Sequence, residues 1–279
     1  MIAKPVKLGL IGDNIISSSA PMLHKMAAAQ HGFDLSYELI IPPERGFDFD
    51  RALDFAKQNG LRGVNVTLPY KEQAFPYAQI ADPAVQKLGS VNTICFDSKS
   101  LTGFNTDYTG FLQSYRVARG ALPTGHVLLI GAGGVGRSIC FALAKLGASA
   151  ITIFDRENIK AVKLADEVNL LVPGVAMAAK SVDTSVCDAV VNCTPAGMYG
   201  YGGLPISQEH LPKSLEWAFD AVYQPVDTPF KQMLIARGVQ FISGFELFFY
   251  QGVDAFKIFT GLEVTDPTSL RHALFEKIH

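Results

Sequence analysis

The sequence is poor in the residues that build disulfide frameworks and metal sites. It has only four cysteines among 279 residues, and the closest pair, Cys187 and Cys193, has no CxxC spacing. The six histidines are dispersed and form no HExxH pattern. We therefore expect no disulfide framework and no bound metal, and we interpret the cysteines as small buried hydrophobic residues.

An excess of charge of one sign is also missing. The 24 Lys and Arg nearly balance the 26 Asp and Glu, for a formal net charge of -2. Because the basic residues are scattered, we expect no nucleic-acid partner. The apolar stretch at residues 1–12 is short and contains Lys4 and Lys7, which fits neither a signal peptide nor a membrane span. We expect a cytoplasmic protein without a membrane partner.

What the sequence does have is apolar residues, 48% of the chain, in an alternating order of short runs and longer amphipathic stretches. This order is typical of α/β proteins with a mainly parallel sheet. The predicted strands are 6–12, 35–41, 63–67, 91–96, 101–105, 126–130, 150–154, 189–192, 217–220 and 239–242, with a short segment of unassigned type around 175–178. The predicted helices are 21–31, 48–59, 71–88, 108–122, 134–146, 158–168, 228–237, 244–260 and 267–278.

A glycine pattern of the GxGxxG type follows the predicted strand at 126–130 and opens the next helix. Gly131 permits a tight turn, Gly133 lets main-chain N–H groups approach a pyrophosphate, and Gly136 lets helix and strand pack closely. A plain glycine turn is the alternative interpretation. The pattern in this context predicts a dinucleotide-binding loop whose cofactor contacts are Gly131, Ala132, Gly133, Gly134, Val135 and Gly136.

The next predicted strand ends in Asp155, where a carboxylate can accept a hydrogen bond from a ribose hydroxyl. The same carboxylate would repel the additional phosphate of NADP, so we expect NAD as the cofactor. Arg156 is the opposing signal, because its guanidinium could bind that phosphate or lie flat on the adenine.

Polar residues also cluster after apolar strands or turns of the first hundred residues. Hydroxyl and amide side chains there suit a polyhydroxylated ligand, Lys71 can move a proton, and Asp107 can orient it. Helix capping is the alternative role for Ser17–Ser19, and a solvated position at a helix start is the alternative for Lys71. Because parallel strands open onto one crevice at their carboxyl ends, we expect these groups to converge.

Five motifs together resemble the shikimate/quinate dehydrogenase family, in the same order and almost from end to end. They are Asn65–Glu72, Gly89–Thr93, Asn105–Gly110, Asn192–Met198 and Asp220–Pro225. The resemblance implies a substrate-binding catalytic domain at 1–108 and 244–279 and a Rossmann NAD(P)-binding domain at 109–243, with the C-terminal helices packing back on the first domain. It also implies a substrate cleft between the two domains.

By the same resemblance, the substrate is a hydroxylated cyclic carboxylic acid, and Lys71 and Asp107 are the catalytic pair. The residues implied around the substrate are Ser18, Thr67, Asn92, Tyr223 and Gln251, and those implied along the cofactor include Thr194 and Gly244. Without the resemblance, Gln251 would be interpreted as a surface amide. Members of the family can be monomers or homodimers.

The chain departs from the family at two positions. The Ser-x-Ser pair that clamps a carboxylate becomes Ser18–Ala20, so the second hydroxyl is missing, and Leu247 stands where the family often has Met. We therefore expect a divergent, NAD-preferring member that uses shikimate or quinate weakly and a related acid better. The alternatives are a dehydrogenase of an aminoshikimate-type pathway and a non-catalytic NAD-binding regulator.

Overall fold

The computed structural model describes residues 5–97, 100–182, 186–212 and 214–279. These residues form two compact α/β units, one comprising the chain up to Thr106 with Gln251–Ile278 and the other Asp107–Tyr250 with His279. The predicted fold class is therefore confirmed. The unit bounds differ from the predicted domain bounds, because 107–108 and 244–250 belong to the second unit.

The first unit has a five-stranded sheet in the order β2-β1-β3-β4-β5. Strands β1, β2 and β3 are parallel, whereas β4 is antiparallel to both β3 and β5. The strands are β1 Val6–Ile11, β2 Leu35–Ile40, β3 Gly63–Val66, β4 Thr93–Phe96 and β5 Leu101–Phe104, and the helices up to residue 88 are α1 Ala20–Ala29, α2 Pro42–Arg45, α3 Phe49–Gln58, α4 Lys71–Ala74 and α5 Pro83–Leu88.

The single helix predicted at 71–88 is wrong. The chain forms α4, then a 3₁₀ turn at Phe75–Tyr77, and after an extended Ala78 the separate helix α5. Proline explains the break, because Pro76 has no N–H to continue the α4 hydrogen bonds. Asp82 then caps α5 by accepting a hydrogen bond from the N–H of Ala84 at 2.7 Å.

The second unit has a six-stranded, fully parallel sheet in the order β11-β10-β9-β6-β7-β8. This is the doubly wound dinucleotide-binding order, with its switch point between β6 and β9. The strands are β6 His126–Ile130, β7 Ala150–Phe154, β8 Ala176–Ala179, β9 Ala189–Asn192, β10 Trp217–Asp220 and β11 Gln240–Ser243, and the remaining helices of the chain are α6 Thr106–Arg119, α7 Gly134–Lys145, α8 Asn158–Asn169, α9 Pro229–Ile235, α10 Gly244–Thr260 and α11 Pro267–Ile278.

Each unit buries its own apolar core. In the first, Phe49 and Leu53 of α3 pack on Val64 of β3 and Ile94 of β4. In the second, Phe230 of α9 belongs to a core cluster that also contains strand residues such as Val190. Continuous apolar strands are what a parallel sheet covered on both faces requires. None of the described helices has the length and apolar character of a membrane span.

Candidate active site

Lys71 lies at the start of α4, directly after the loop that follows β3. Its side chain is only 6% exposed, so the alternative interpretation of a solvated lysine is wrong. The carbonyl of Lys71 accepts a hydrogen bond from the N–H of Val91 at 2.9 Å, which ties α4 to the segment before β4. Lys71 is therefore held, buried, beside the chain segment that carries Asn92.

Asn92 precedes β4 rather than following it. Because β4 is antiparallel to β3, its amino end lies at the same sheet edge as the carboxyl end of β3. The Oδ1 atom of Asn92 accepts hydrogen bonds from the main-chain N–H of Thr106 at 2.7 Å and from its Oγ1 at 3.1 Å. The polar groups at this edge therefore meet partly through an antiparallel strand, whereas we expected them to meet at the carboxyl ends of parallel strands.

Gln251 joins this group from α10. Oγ1 of Thr106 lies 3.3 Å from Oε1 of Gln251, which competes with Oδ1 of Asn92 for its one hydrogen, and the Gln251 side chain is half-buried. Gln251 is therefore a partly exposed amide that also contacts Thr106. The structure brings Asn92 and Gln251 together through Thr106, a residue to which the sequence interpretation assigned no role although it lies within a recognised motif.

Ser18 and Thr67 lie on the loops that follow β1 and β3, and these loops are hydrogen-bonded to each other. The N–H of Asp13 donates to the carbonyl of Leu68 at 3.2 Å. Ser18 is half-buried, and its hydroxyl accepts from the N–H of Ala20 at 3.3 Å. Ser19 occupies the N-cap position of α1 but makes no side-chain capping bond.

Asp107 lies in the first turn of α6, at the beginning of the second unit. The residue is only 7% exposed. An Asp in the first turn of a helix is stabilised by the helix dipole, but such residues are normally solvated. The burial of Asp107 therefore exceeds what a helix-start role requires.

In the second unit, the glycine loop (residues 131–136) has the geometry of a phosphate cradle. Gly131 has a φ of 98°, in the left-handed region, and a Cβ on Gly136 would lie 1.9 Å from the carbonyl oxygen of Gly131. Only glycine fits either position. A Cβ on Gly133 would meet open space, which leaves room for a ligand against the N-terminus of α7.

Asp155 lies immediately after β7 and beside the glycine loop. One carboxylate oxygen accepts from the N–H of Ala132 at 2.8 Å and the other from the N–H of Glu157 at 2.8 Å. The two main-chain bonds fix the carboxylate, and each oxygen retains a lone pair for a ligand hydroxyl. Arg156 is exposed.

Thr194 follows β9 across the switch point from the glycine loop, and a Cβ on Gly131 would lie 2.9 Å from its methyl group. Asn192 holds it, with Oδ1 accepting from the N–H and the hydroxyl of Thr194 at 2.9 and 2.7 Å. Asn192 in turn donates to buried Asp220 at 2.9 Å. The sequence interpretation gave neither residue a role, although both end strands at the ligand-binding edge.

Tyr223 and Gly244 lie at the same edge, after β10 and β11. The Tyr223 ring stacks on Phe248, with centroids 4.9 Å apart and planes 6° from parallel. A Cβ on Gly244 would lie 2.5 Å from the carbonyl oxygen of Ala221, so a larger residue would displace the start of α10. Within the second unit, the structure thus groups Gly244 with the loop that carries Tyr223.

The residues of the second unit fit a dinucleotide. The open face at Gly133 suits a pyrophosphate, and the lone pairs of Asp155 suit a ribose. Over the part of the chain that the structure describes, no three His, Cys, Asp or Glu side chains cluster to form a metal site.

Comparison with known proteins identifies the family. Residues 10–94 match the family model for the shikimate dehydrogenase substrate binding domain, and residues 116–199 match the model described as shikimate / quinate 5-dehydrogenase. A shikimate dehydrogenase (NADP(+)) of Moorella thermoacetica is 35% identical over 92% of this chain and 88% of its own. A quinate/shikimate dehydrogenase (NAD(+)) of Corynebacterium efficiens is 32% identical over 92% and 94%.

The fold agrees with a solved structure. The quinate dehydrogenase from Corynebacterium glutamicum in complex with NAD has a TM-score of 0.91 and 30% identity, covering 98% of this chain and 99% of that one. The prediction of an oxidoreductase that binds NAD or NADP and a small-molecule substrate is confirmed. These relatives give no support to the alternative of a non-catalytic regulator. The chain belongs to the shikimate/quinate dehydrogenase family of NAD(P)-linked oxidoreductases.

Proposed function

We propose that the protein interconverts a ring hydroxyl and a ketone of shikimate, quinate or a related hydroxylated cyclic carboxylic acid. The observation that carries this proposal is the burial of both Lys71 and Asp107, at 6% and 7% exposure. Lysine and aspartate are almost never buried to this degree unless they are paired or functional. Alcohol oxidation needs a base within hydrogen-bond reach of the reacting hydroxyl, and Lys71 is the candidate for that base.

In the oxidative direction, Nζ of Lys71 accepts the proton of the substrate hydroxyl, and the oxygen–hydrogen bond pair becomes part of the new C=O bond. A nicotinamide held by the glycine loop and Asp155 would supply the acceptor for the hydride that leaves the same carbon. Asp107 accepts a hydrogen bond from the reacting hydroxyl and keeps Lys71 in place. In the reductive direction Lys71 returns the proton to the oxygen.

The substrate is held, in this proposal, by amide and hydroxyl groups. Ser18 and Thr67 contribute hydroxyls from the loops after β1 and β3, Asn92 and Gln251 contribute amides, and Tyr223 contributes a phenol. Such a set suits a ring that carries several hydroxyl groups, because each hydroxyl can both donate and accept. Thr194 and Gly244 lie along the cofactor.

We propose NAD as the preferred cofactor. The fixed carboxylate of Asp155 is suited to a ribose hydroxyl, and it would repel a phosphate at the same position. The NAD-linked relative from Corynebacterium efficiens supports this preference, and the NADP-linked relative from Moorella thermoacetica opposes it. We also propose a cytoplasmic location and a monomeric or homodimeric state, as expected for the family.

The departures at Ala20 and Leu247 point to a reshaped substrate pocket. A buried carboxylate that lacks one hydrogen bond binds more weakly by about 1.5–3 kcal/mol. We therefore propose weak use of shikimate and quinate and better use of a related acid, of which an amino analogue is one candidate.

The test is an assay of NAD and NADP reduction with shikimate, quinate and their amino analogues. We expect turnover of at least one acid, with a higher kcat/KM for NAD than for NADP. A wild-type enzyme that oxidises none of these acids would contradict the proposed substrate class. Faster reduction of NADP would contradict the cofactor preference alone.

A further inference from the structure

Behind Asn92, three buried polar side chains form a continuous hydrogen-bonded row across the first sheet. They are Tyr37 of β2, Asn65 of β3 and Thr93 of β4. The phenol of Tyr37 donates to Oδ1 of Asn65 at 2.7 Å, and Nδ2 of Asn65 donates to Oγ1 of Thr93 at 3.0 Å. Thr93 Oγ1 lies 3.1 Å from Oδ1 of Asn92.

The orientation of the Asn92 amide follows from its donors. A main-chain N–H can only donate, so the Asn92 atom 2.7 Å from the N–H of Thr106 is the oxygen. The hydroxyls of Thr106 and Thr93 each lie 3.1 Å from the same oxygen. The oxygen is saturated, and within the described ranges the structure gives the Asn92 Nδ2 group no protein partner. That NH₂ group is therefore the part of Asn92 that can bind substrate.

The orientation of Asn65 follows in the same way. Its Nδ2 atom lies 3.4 Å from the main-chain carbonyl of Asn92, which can only accept. The second hydrogen of that NH₂ group is donated to Thr93, so the hydroxyl hydrogen of Thr93 points onward to Asn92 or Thr106. The row thus runs in one direction, from Tyr37 through Asn65 and Thr93 to the oxygen of Asn92.

The far end of the row is closed by an uncharged ring. His24 stacks on Tyr37, with centroids 5.0 Å apart. Burial lowers the pKa of His24 to about 3, so the ring is neutral at physiological pH. The row is therefore a set of neutral donors and acceptors that ends, beyond Tyr37, at a neutral ring.

We propose that Tyr37, Asn65 and Thr93 are positioning residues that lock the Asn92 amide with its oxygen inward and its NH₂ group toward the substrate. The proposal rests on the proposed function, in which Asn92 binds substrate. Buried polar networks that are fully satisfied specify one arrangement, whereas a row that has lost one member leaves donors unpaired and allows an amide to turn. None of the three residues touches substrate in this scheme.

The test compares Thr93→Val with Thr93→Ser in the full-length enzyme with saturating NAD. The valine variant keeps the side-chain shape and loses the hydroxyl, and we expect the substrate KM to rise about tenfold while kcat changes less than about threefold. The serine variant keeps the hydroxyl, and we expect its KM within about twofold of wild type. The KM for NAD is expected to stay unchanged in both.

Equal KM increases in the serine and valine variants would overturn the proposal, because they would show that the methyl group matters. An unchanged substrate KM in the valine variant, or an equal rise in the KM for NAD, would also overturn it. A wild-type enzyme that turns over none of the acids would instead refute the proposed function, so the two failures are distinguishable.

A second variant guards against misfolding of the first. Tyr37→Phe removes only the phenol at the far end of the row, and we expect the substrate KM to rise about threefold. The control is Tyr115→Phe, which removes a phenol that donates to the carbonyl of Leu122 and accepts from Nε of Arg119 in the second unit. Equal effects of the two tyrosine variants on substrate KM would contradict the positioning role of the hydrogen-bonded row.

Discussion

The two units prepare their ligand-binding edges in different ways. In the first unit the edge is made by side chains, with Asn92 and Thr106 held by hydrogen bonds to each other. In the second unit it is made largely by main chain, at Gly131, Gly133 and Gly136, where the absence of a side chain is what matters. The edge of the second unit lies at the change of strand order between β6 and β9.

This difference explains how one family can serve several substrates with one type of cofactor. A main-chain cradle recognises pyrophosphate, which all nicotinamide dinucleotides share, and it tolerates few substitutions. A side-chain edge changes its preference with single substitutions, because each amide or hydroxyl contributes its own hydrogen bond. The departure at Ala20 lies in the first unit, as this argument expects.

The largest effect should come from removing the proposed base. We expect Lys71→Ala to lower kcat by about 10²–10⁴-fold while the substrate KM changes little, because an acid–base group acts mainly in the transition state. Steady-state kinetics with the best acid of the panel measures both constants. Lys25→Ala, at an exposed lysine of α1, is the control and should behave as wild type. Near-wild-type turnover of the Lys71 variant would eliminate the catalytic assignment.

The next effect concerns the glycine loop of the second unit. We expect Gly136→Ala to weaken NAD binding about a hundredfold and to lower the Tm, because its Cβ would lie 1.9 Å from the Gly131 carbonyl. Gly133→Ala meets no protein atom, so it should leave the Tm unchanged and weaken NAD about tenfold through the pyrophosphate. Calorimetric titration with NAD and thermal unfolding measure the two properties.

Gly202→Ala is the matched control, because its Cβ also meets open space outside the glycine loop. It should change neither NAD binding nor Tm. If Gly133→Ala bound NAD as tightly as the control, the cradle would not bind pyrophosphate at that position.

The main-chain edge was easier to predict from sequence than the side-chain edge. Gly131 to Gly136 and Asp155 belong to a local pattern whose meaning depends on one strand, one turn and one helix. The parallel strands around it were also predicted correctly, because each is a continuous apolar run such as Val127–Ile130. Local signals of this kind need no knowledge of the sheet order.

The side-chain edge depends on contacts between residues that are distant in sequence. Asn65 and Thr93 are 28 positions apart and pair only because β4 runs antiparallel to β3. Strand periodicity does not reveal this direction, so the row behind Asn92 was not predicted. The prediction of one helix at 71–88 is wrong because Pro76 and Pro83 interrupt the helix that the apolar spacing predicts.

Stability against pH offers a smaller contrast between the units. Burial lowers the pKa of His24 in the first unit from 6.5 to about 3, so the unfolded chain binds its proton first as the pH falls. His24 therefore lowers the free energy of unfolding between about pH 6.5 and 3, by about 2 kcal/mol from pH 7 to pH 5. Burial raises the pKa of Asp220 in the second unit, so the folded chain binds this proton before the unfolded chain does as the pH falls. Through Asp220, acid therefore raises the free energy of unfolding, which is opposite to the effect of His24.

Urea unfolding of wild type and His24→Gln at pH 7 and pH 5 measures this effect. Glutamine does not titrate, so the loss of stability on acidification should be smaller in the variant by about 2 kcal/mol. The same loss in both proteins would show that other groups cause the acid sensitivity. Comparing the variant with itself at the two pH values removes any constant cost of the substitution.

The smallest effect tests whether the side-chain edge sets the substrate. Ala20 stands where the family has the second serine of its carboxylate clamp, and its N–H donates to the hydroxyl of Ser18. We expect Ala20→Ser to raise kcat/KM for shikimate about tenfold, near the lower end of what one hydrogen bond to a carboxylate contributes. Ala28→Ser places the same hydroxyl at a buried position of α1 and should bring no gain.

The sign of the change in kcat/KM for each acid distinguishes two explanations of the effect of Ala20. If the missing hydroxyl alone makes shikimate a poor substrate, Ala20→Ser should improve all acids that present the same carboxylate by a similar factor. If the pocket has instead been reshaped for another acid, shikimate should improve while that acid becomes poorer, because the added hydroxyl would occupy space that its ring uses. An unchanged kcat/KM for every acid would remove Ala20 from the explanation and leave Leu247 as the next position to exchange.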